Sequence, residues 1–202
     1  MPDDVLDVAE APWRERLGGD PLPWLLETKA PAVRAATLTR LLDRPNEPGF
    51  ECAANEGFSC AWGAIKELSG LALILREQRS PAVQEAIEVG VEFLFSRDPA
   101  VSDYPMGDGD AVPSRSWVKL GFPSEYVADV LQNLEVLAHL GYAKDPRLDA
   151  AYDFVLSQRD EGGRWRNRYA YNRKTTVDTE PQGDQSKWVT LRACTVLKAR
   201  HG

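Results

Sequence analysis

Histidine and cysteine are scarce in this chain: two histidines and three cysteines among 202 residues. Cys52, Cys60 and Cys194 are odd in number and far apart, which excludes a disulfide framework and suits a reducing, cytoplasmic setting. His139 follows Asp129 on one expected helix, about 15 Å away at the helical rise, so those two cannot share a metal. Cys52 and Cys60, with Glu51 or Glu56, fit no usual zinc spacing. No metal is therefore expected, and no cofactor is indicated. Long apolar runs are missing too, so no membrane span is expected. The acidic opening stretch, MPDDVLDVAEAPW, lacks the basic start and apolar centre of a secretory signal. An excess of positive charge is also lacking: the net charge of −7 argues against nucleic acid as a partner.

Strand patterning is confined to residues 164–179. Everything else with periodicity reads as helix: PAVRAATLTRLL, SCAWGAIKELSGLALIL, SPAVQEAIEVGVEFLFS, SEYVADVLQNLEVLAHLGY, DPRLDAAYDFVLSQ and SKWVTLRACTVLKAR. Prolines at helix starts, and Gly141 or the DRPNEPG cluster at helix ends, punctuate them. Residues 21–202 are expected to form one helical domain. Residues 1–20 are expected to be an arm or a short helix packing through Trp13 and Leu17.

Three of these helices align so that Leu68, Leu134 and Cys194 coincide, as do Leu71, Leu137 and Leu197. Trp62 then matches Trp188, and Cys60 matches Tyr126 and Ser186. The first two helices are each followed by a proline-started partner ending in FLFSRD or FVLSQRD. This is the pattern of an αα repeat, which buries its apolar face only against its neighbours. Cys194 is expected in the core.

The stretch AAYDFVLSQRDEGGRW resembles the repeat signature of prenyltransferases and squalene or terpene cyclases. There a helix ends in Gln, a Gly turn follows, and a Trp packs back on the neighbouring repeat. Gln158, Gly162 or Gly163, and Trp165 match that signature, with one extra residue in the turn. In the preceding repeat Arg97 stands where Gln158 does, and no Gly-x-Trp follows. The resemblance implies an all-α fold of the α/α-toroid type, whose inner helices surround a cavity holding an isoprenoid. This chain is too short for a full ring and is expected to form about half of one, with a short extended or hairpin segment near 164–179. A homodimer that completes the ring is one expected partner.

Catalytic signals are weak. The acidic loop at Asp103, Asp108 and Asp110 lacks the Asp-x-Asp-Asp pattern of the family and reads as a solvated turn. The sharper expectation is positional: the N-terminal ends of the aligned helices gather Cys60, Trp62, Tyr126, Asp129, Lys187 and Trp188 at one mouth. Cys60, Tyr126 and Asp129 are the candidate catalytic groups there. Trp62, Lys187 and Trp188 are candidate ligand contacts. Near them, RWRNRYAYNRK places Arg164, Arg166 and Arg168 on one parity and Trp165, Tyr169 and Tyr171 on the other. With helix N-termini favouring anions, such a mouth suits an amphiphile with an anionic head, for instance an isoprenoid diphosphate. The alternative reading is a non-catalytic helical-repeat module whose groove takes a peptide or protein partner.

Overall fold

The computed structural model describes residues 20–27, 37, 60–101, 114–171 and 176–202. Its helices are α1 (Leu22–Leu25), α2 (Ala61–Ala72), α3 (Pro81–Phe95), α4 (Val130–His139), α5 (Asp149–Ser157) and α6 (Lys187–His201), with 3-10 turns at Arg76–Gln78 and Pro146–Leu148. Among the described residues the fold is all-α, with no strand and no helix long and apolar enough to cross a membrane. The expected arm at 1–20 and helix at 31–42, the loop carrying Asp103, Asp108 and Asp110, and Cys52 lie outside the described residues, apart from Asp20 and Thr37.

Helix starts follow local chemistry. The Ser80 hydroxyl accepts from the Val83 N–H at 3.3 Å, with Pro81 supplying a preset φ at the first helical position. The apolar periodicity suggested that α4 begins near Ser124, yet residues 124–129 form a loop. Asp129 is the reason: its backbone is extended and its Oδ1 accepts the Gln132 N–H at 2.9 Å, which makes it the N-cap. Asp145, expected to cap α5, caps only the 3-10 turn, accepting from the Arg147 N–H.

Packing has the order expected of helix pairs. α2 packs on α3 and α4 on α5, while α2, α4 and α6 touch in series. Leu68, Leu131, Leu134, Leu137 and Val155 are wholly buried between them, each stabilising the fold by about 1.5–3 kcal/mol. The register expected for α6 needs correction. Val189, Ala193 and Val196 are buried, whereas Cys194 and Leu191 are exposed. α6 turns its small and β-branched residues, spaced four and three apart, toward the core, with Leu197 partly buried beside them, and leaves Leu191 and Cys194 on the uncovered side.

The turn after α5 explains the Gln-Gly-Trp signature. Gly163, at φ +69°, takes the left-handed conformation that glycine tolerates best. Around it the Asp160 carboxylate accepts the Gly162 and Arg164 N–H groups, both at 2.9 Å, and the Gln185 amide at 2.6 Å. Trp165 is then buried, and its indole N–H donates to the Val155 carbonyl at 2.7 Å. That carbonyl belongs to the last turn of α5, where helices leave acceptors unsatisfied. The Trp165 backbone binds the Thr190 hydroxyl and the Ser186 N–H, so one residue ties α5 to α6. Gln158 plays a smaller part than expected: its amide donates to the Ser157 hydroxyl.

Residues 164–171 run extended, but not as a self-contained hairpin. Arg166 bridges Gln185 in antiparallel fashion, and Tyr169 bridges Gly121 in parallel. The expected alternation is present. Arg164, Arg166 and Arg168 are exposed, Trp165 and Asn167 buried, Tyr169 and Tyr171 half-buried. At Gly121 a Cβ would lie 2.1 Å from the Tyr169 carbonyl oxygen, so only glycine lets the two backbones meet.

Two outcomes are expected in urea unfolding. Trp165→Ala should lower stability by about 3–5 kcal/mol. Trp165→Phe, which keeps most of the ring but loses the bond to Val155, should cost less, about 1–2 kcal/mol for the lost bond. No loss in Trp165→Phe would mean that the indole N–H contributes nothing, and equal losses in the two variants would mean that burial of the ring contributes nothing. The second concerns acid. The backbone N–H of Arg164, more than the Arg164 charge, holds the Asp160 carboxyl below its ordinary value. Its contribution is therefore full above the unfolded carboxylate pKa of about 3.9 and is lost as pH falls through the lower folded value. Asp160→Asn should flatten that acid limb in a stability–pH series.

Candidate functional site

The loop 120–129 enters the protein between α2, α4, α6 and the extended segment. Six aromatic rings gather along it. Phe122 stacks on Trp188, with centroids 4.9 Å apart and planes 21° from parallel. Tyr126 meets Trp62 edge-on at 5.9 Å. Tyr169 and Tyr171, edge-on at 5.6 Å, are held against the loop by the Gly121 bridge and by the Tyr171 N–H donating to the Pro123 carbonyl. The Phe122–Pro123 peptide is cis. Tyr126 and Trp188 remain about half open to solvent, at 58% and 48% exposure. Three aromatic pairs, Phe122–Trp188, Trp62–Tyr126 and Tyr169–Tyr171, thus form an aromatic rim along the loop. Phe122 had not been singled out, because a single aromatic in a Gly-Phe-Pro turn has no periodic signal.

Behind the rim lies a polar ladder. The Lys66 amine donates to the Gln132 side-chain carbonyl at 2.6 Å and to the Ser124 carbonyl at 3.1 Å. The Gln132 amide donates to the Ser124 hydroxyl at 2.7 Å. Arg192 forms a two-pronged pair with Glu135 and donates to the Gly121 carbonyl at 3.2 Å. Burial pulls the Lys66 amine below the usual lysine range, with Asp129 opposing. For Arg192, burial works against the charge, but the bond to Glu135 and the charges of Asp129 and Glu135 together outweigh it, and the guanidinium is held more firmly charged. Lys66, Gln132 and Arg192 each precede an aligned residue (Leu68, Leu134, Cys194) by two, a shared position that was open to view in the repeat alignment.

The candidate catalytic groups take structural positions. Cys60 and Asp129 are buried, at 1% and 2% exposure. The Cys60 sulfur caps α2, accepting from the Gly63 N–H at 3.4 Å. Asp129 spends one oxygen on Gln132 and the other on the Gly121 N–H at 3.0 Å. Burial raises its pKa, while the Arg192 charge and the two backbone bonds lower it. Tyr126, by contrast, is exposed beside Trp62. The N-terminus of α6 is also filled: the Glu180 carboxylate accepts the Lys187 and Trp188 N–H groups and the Ser186 hydroxyl. A carboxylate therefore already sits at the start of each of α4 and α6, and Lys187 lies exposed at the α6 start.

The three arginines separate from the rim, and Arg164 separates from the other two. Arg164 pairs with Asp160 at 3.5 Å. Arg166 and Arg168, on the opposite parity from Tyr169 and Tyr171, line a different cleft together with Lys119. Among the described residues no three His, Cys, Asp or Glu side chains gather as metal ligands. No protein-family model, no curated protein and no solved structure matches the chain.

Asp129→Ala removes an N-cap and strands the Gly121 N–H in the interior. The expected loss is about 2–3 kcal/mol, measured by chemical unfolding, with the helical circular dichroism of the folded form kept. A loss under half a kcal/mol would show that the carboxylate is not needed to hold the loop.

Proposed function

We propose that this chain is a helical-repeat binding protein of the prenyltransferase and terpene cyclase type, taking a hydrophobic, isoprenoid-like ligand against the aromatic rim. The observation that carries the reading is the convergence of Phe122, Trp188, Tyr126, Trp62, Tyr169 and Tyr171 on one loop, with two of the rings still open to solvent. Aromatic side chains offer large apolar contact area, and a flat polyene chain can lie against several at once. The likeness of the Gln158–Trp165 stretch to the cyclase repeat supports the same ligand class. No anionic head is placed at the starts of α4 and α6, since Asp129 and Glu180 already occupy those donors. The reading is of binding, with Cys60 and Asp129 assigned to the frame.

A second reading has its own support. Trp188 and Leu191, both exposed, lie one helical turn apart on α6, and exposed aromatics of this kind are common at protein interfaces. A peptide, a protein partner or a second copy that closes the ring would cover them.

Calorimetric titration with farnesol, an uncharged isoprenoid alcohol, separates the two. The first reading expects saturable binding with one site, weakened at least tenfold by a Phe122→Ala/Trp188→Ala double variant. Absence of binding to the folded wild type at saturating farnesol would reject it. If sedimentation then showed a dimer that Trp188→Ala dissociates, the interface reading would stand in its place.

A further inference from the structure

A second site lies on the other side of the extended segment. Between α5, the Val118–Lys119 turn and residues 182–183 opens a cleft of about 480 Å³, within the size range of small-molecule sites. Arg166, Arg168 and Lys119 line it, and no lining residue is acidic. The chain carries a net charge of −7, so three cations without a carboxylate among them run against its overall balance. The side chains of Lys119 and Arg168 make no hydrogen bond or ion pair with any described residue. Arg166 is steadied by donating to the Gly183 carbonyl at 3.0 Å, which leaves other guanidinium N–H groups to reach the cleft. The Gln182 carbonyl oxygen accepts the Ala170 N–H at 3.3 Å, so its amide NH₂ is the group left to donate. Apolar surface from Val118 and Phe154 completes the lining.

We propose that this cleft binds a phosphate ester. Guanidinium forks and an ammonium match a tetrahedral dianion in charge and donor geometry. The volume far exceeds that of a bare phosphate, and the apolar wall suits the organic part of an ester. The segment 164–171 provides both sites by alternation: Arg166 and Arg168 face the cleft, and Tyr169 and Tyr171 face the rim. The cleft is independent of the hydrophobic ligand assigned to the rim, and either can fail without the other.

The test is calorimetric titration at low ionic strength with phenyl phosphate, and with inorganic phosphate as competitor. The expected result is saturable binding of phenyl phosphate, at least threefold tighter than inorganic phosphate. A Lys119→Gln/Arg168→Gln variant should weaken it at least tenfold. A charge-matched control, Lys144→Gln/Lys198→Gln, removes two exposed cations elsewhere and should leave it within twofold. A flotation arm with phosphatidate vesicles identifies the source: binding lost in the cleft variant alone places the ester on a lipid, and no flotation places it on a soluble metabolite. Both results uphold the site. Equal weakening in the two variants, equal affinity for the two phosphates, or no binding by the folded wild type would overturn it.

Discussion

A buried loop must find partners for its own peptide groups, and the structure around residues 120–129 is organised by that demand. An unsatisfied N–H or C=O in the interior costs as much as the strongest single contacts contribute. Here the partners come from every neighbouring element. Asn167, wholly buried, accepts the Phe122 N–H at 3.0 Å and donates to the Phe122 carbonyl at 2.7 Å. Asp129 takes the Gly121 N–H, Arg192 the Gly121 carbonyl, Lys66 the Ser124 carbonyl. The Arg168 N–H meets the Leu120 carbonyl. What looks like a charged interior is mostly a loop being held.

This accounts for the separation of functions along the extended segment. Once Asn167 and Trp165 point inward to hold the loop and α5, the alternation of an extended chain sends Arg166 and Arg168 outward. The aromatic residues that follow lie against the loop and build the rim. One stretch of eight residues, 164–171, therefore serves two surfaces whose chemistry is opposite. A single amphiphile with its head on the arginines and its tail on the tyrosines would have to pass around the backbone between them.

Periodic signals in the sequence were legible, and contextual ones were not. The helical spans, the pairing of α2 with α3 and of α4 with α5, and the alternation in 164–171 follow from apolar spacing and parity alone. Trp165 acts as the plug that its place after two glycines suggested. The loop at 124–129 was hidden because Val127 and Val130 continue the helical stripe, and only the capping bonds of Asp129 reveal the boundary. Cys194 was misplaced because α6 carries two apolar stripes, and the choice between them depends on which side α4 covers. Lys119 gave no signal at all: it reaches the cleft only because Arg168 pairs its backbone with Leu120, a contact between segments far apart in the chain.

The same bookkeeping of donors and acceptors weighs on catalysis. A general acid must offer its proton, or a base its lone pair, to a reacting atom. Asp129 has both oxygens committed to backbone N–H groups and almost no open surface, so a substrate could reach it only by breaking the cap of α4. The Cys60 thiol is similarly enclosed. Its sulfur accepts the Gly63 N–H at the start of α2. The groups that do face solvent at the rim are aromatic, and those at the cleft are cations and amides. Rings can hold an apolar chain, and cations can hold an oxyanion. At the rim and the cleft the side chains that reach solvent are suited to capture a ligand and to orient it, while Asp129 holds the loop and Cys60 the start of α2.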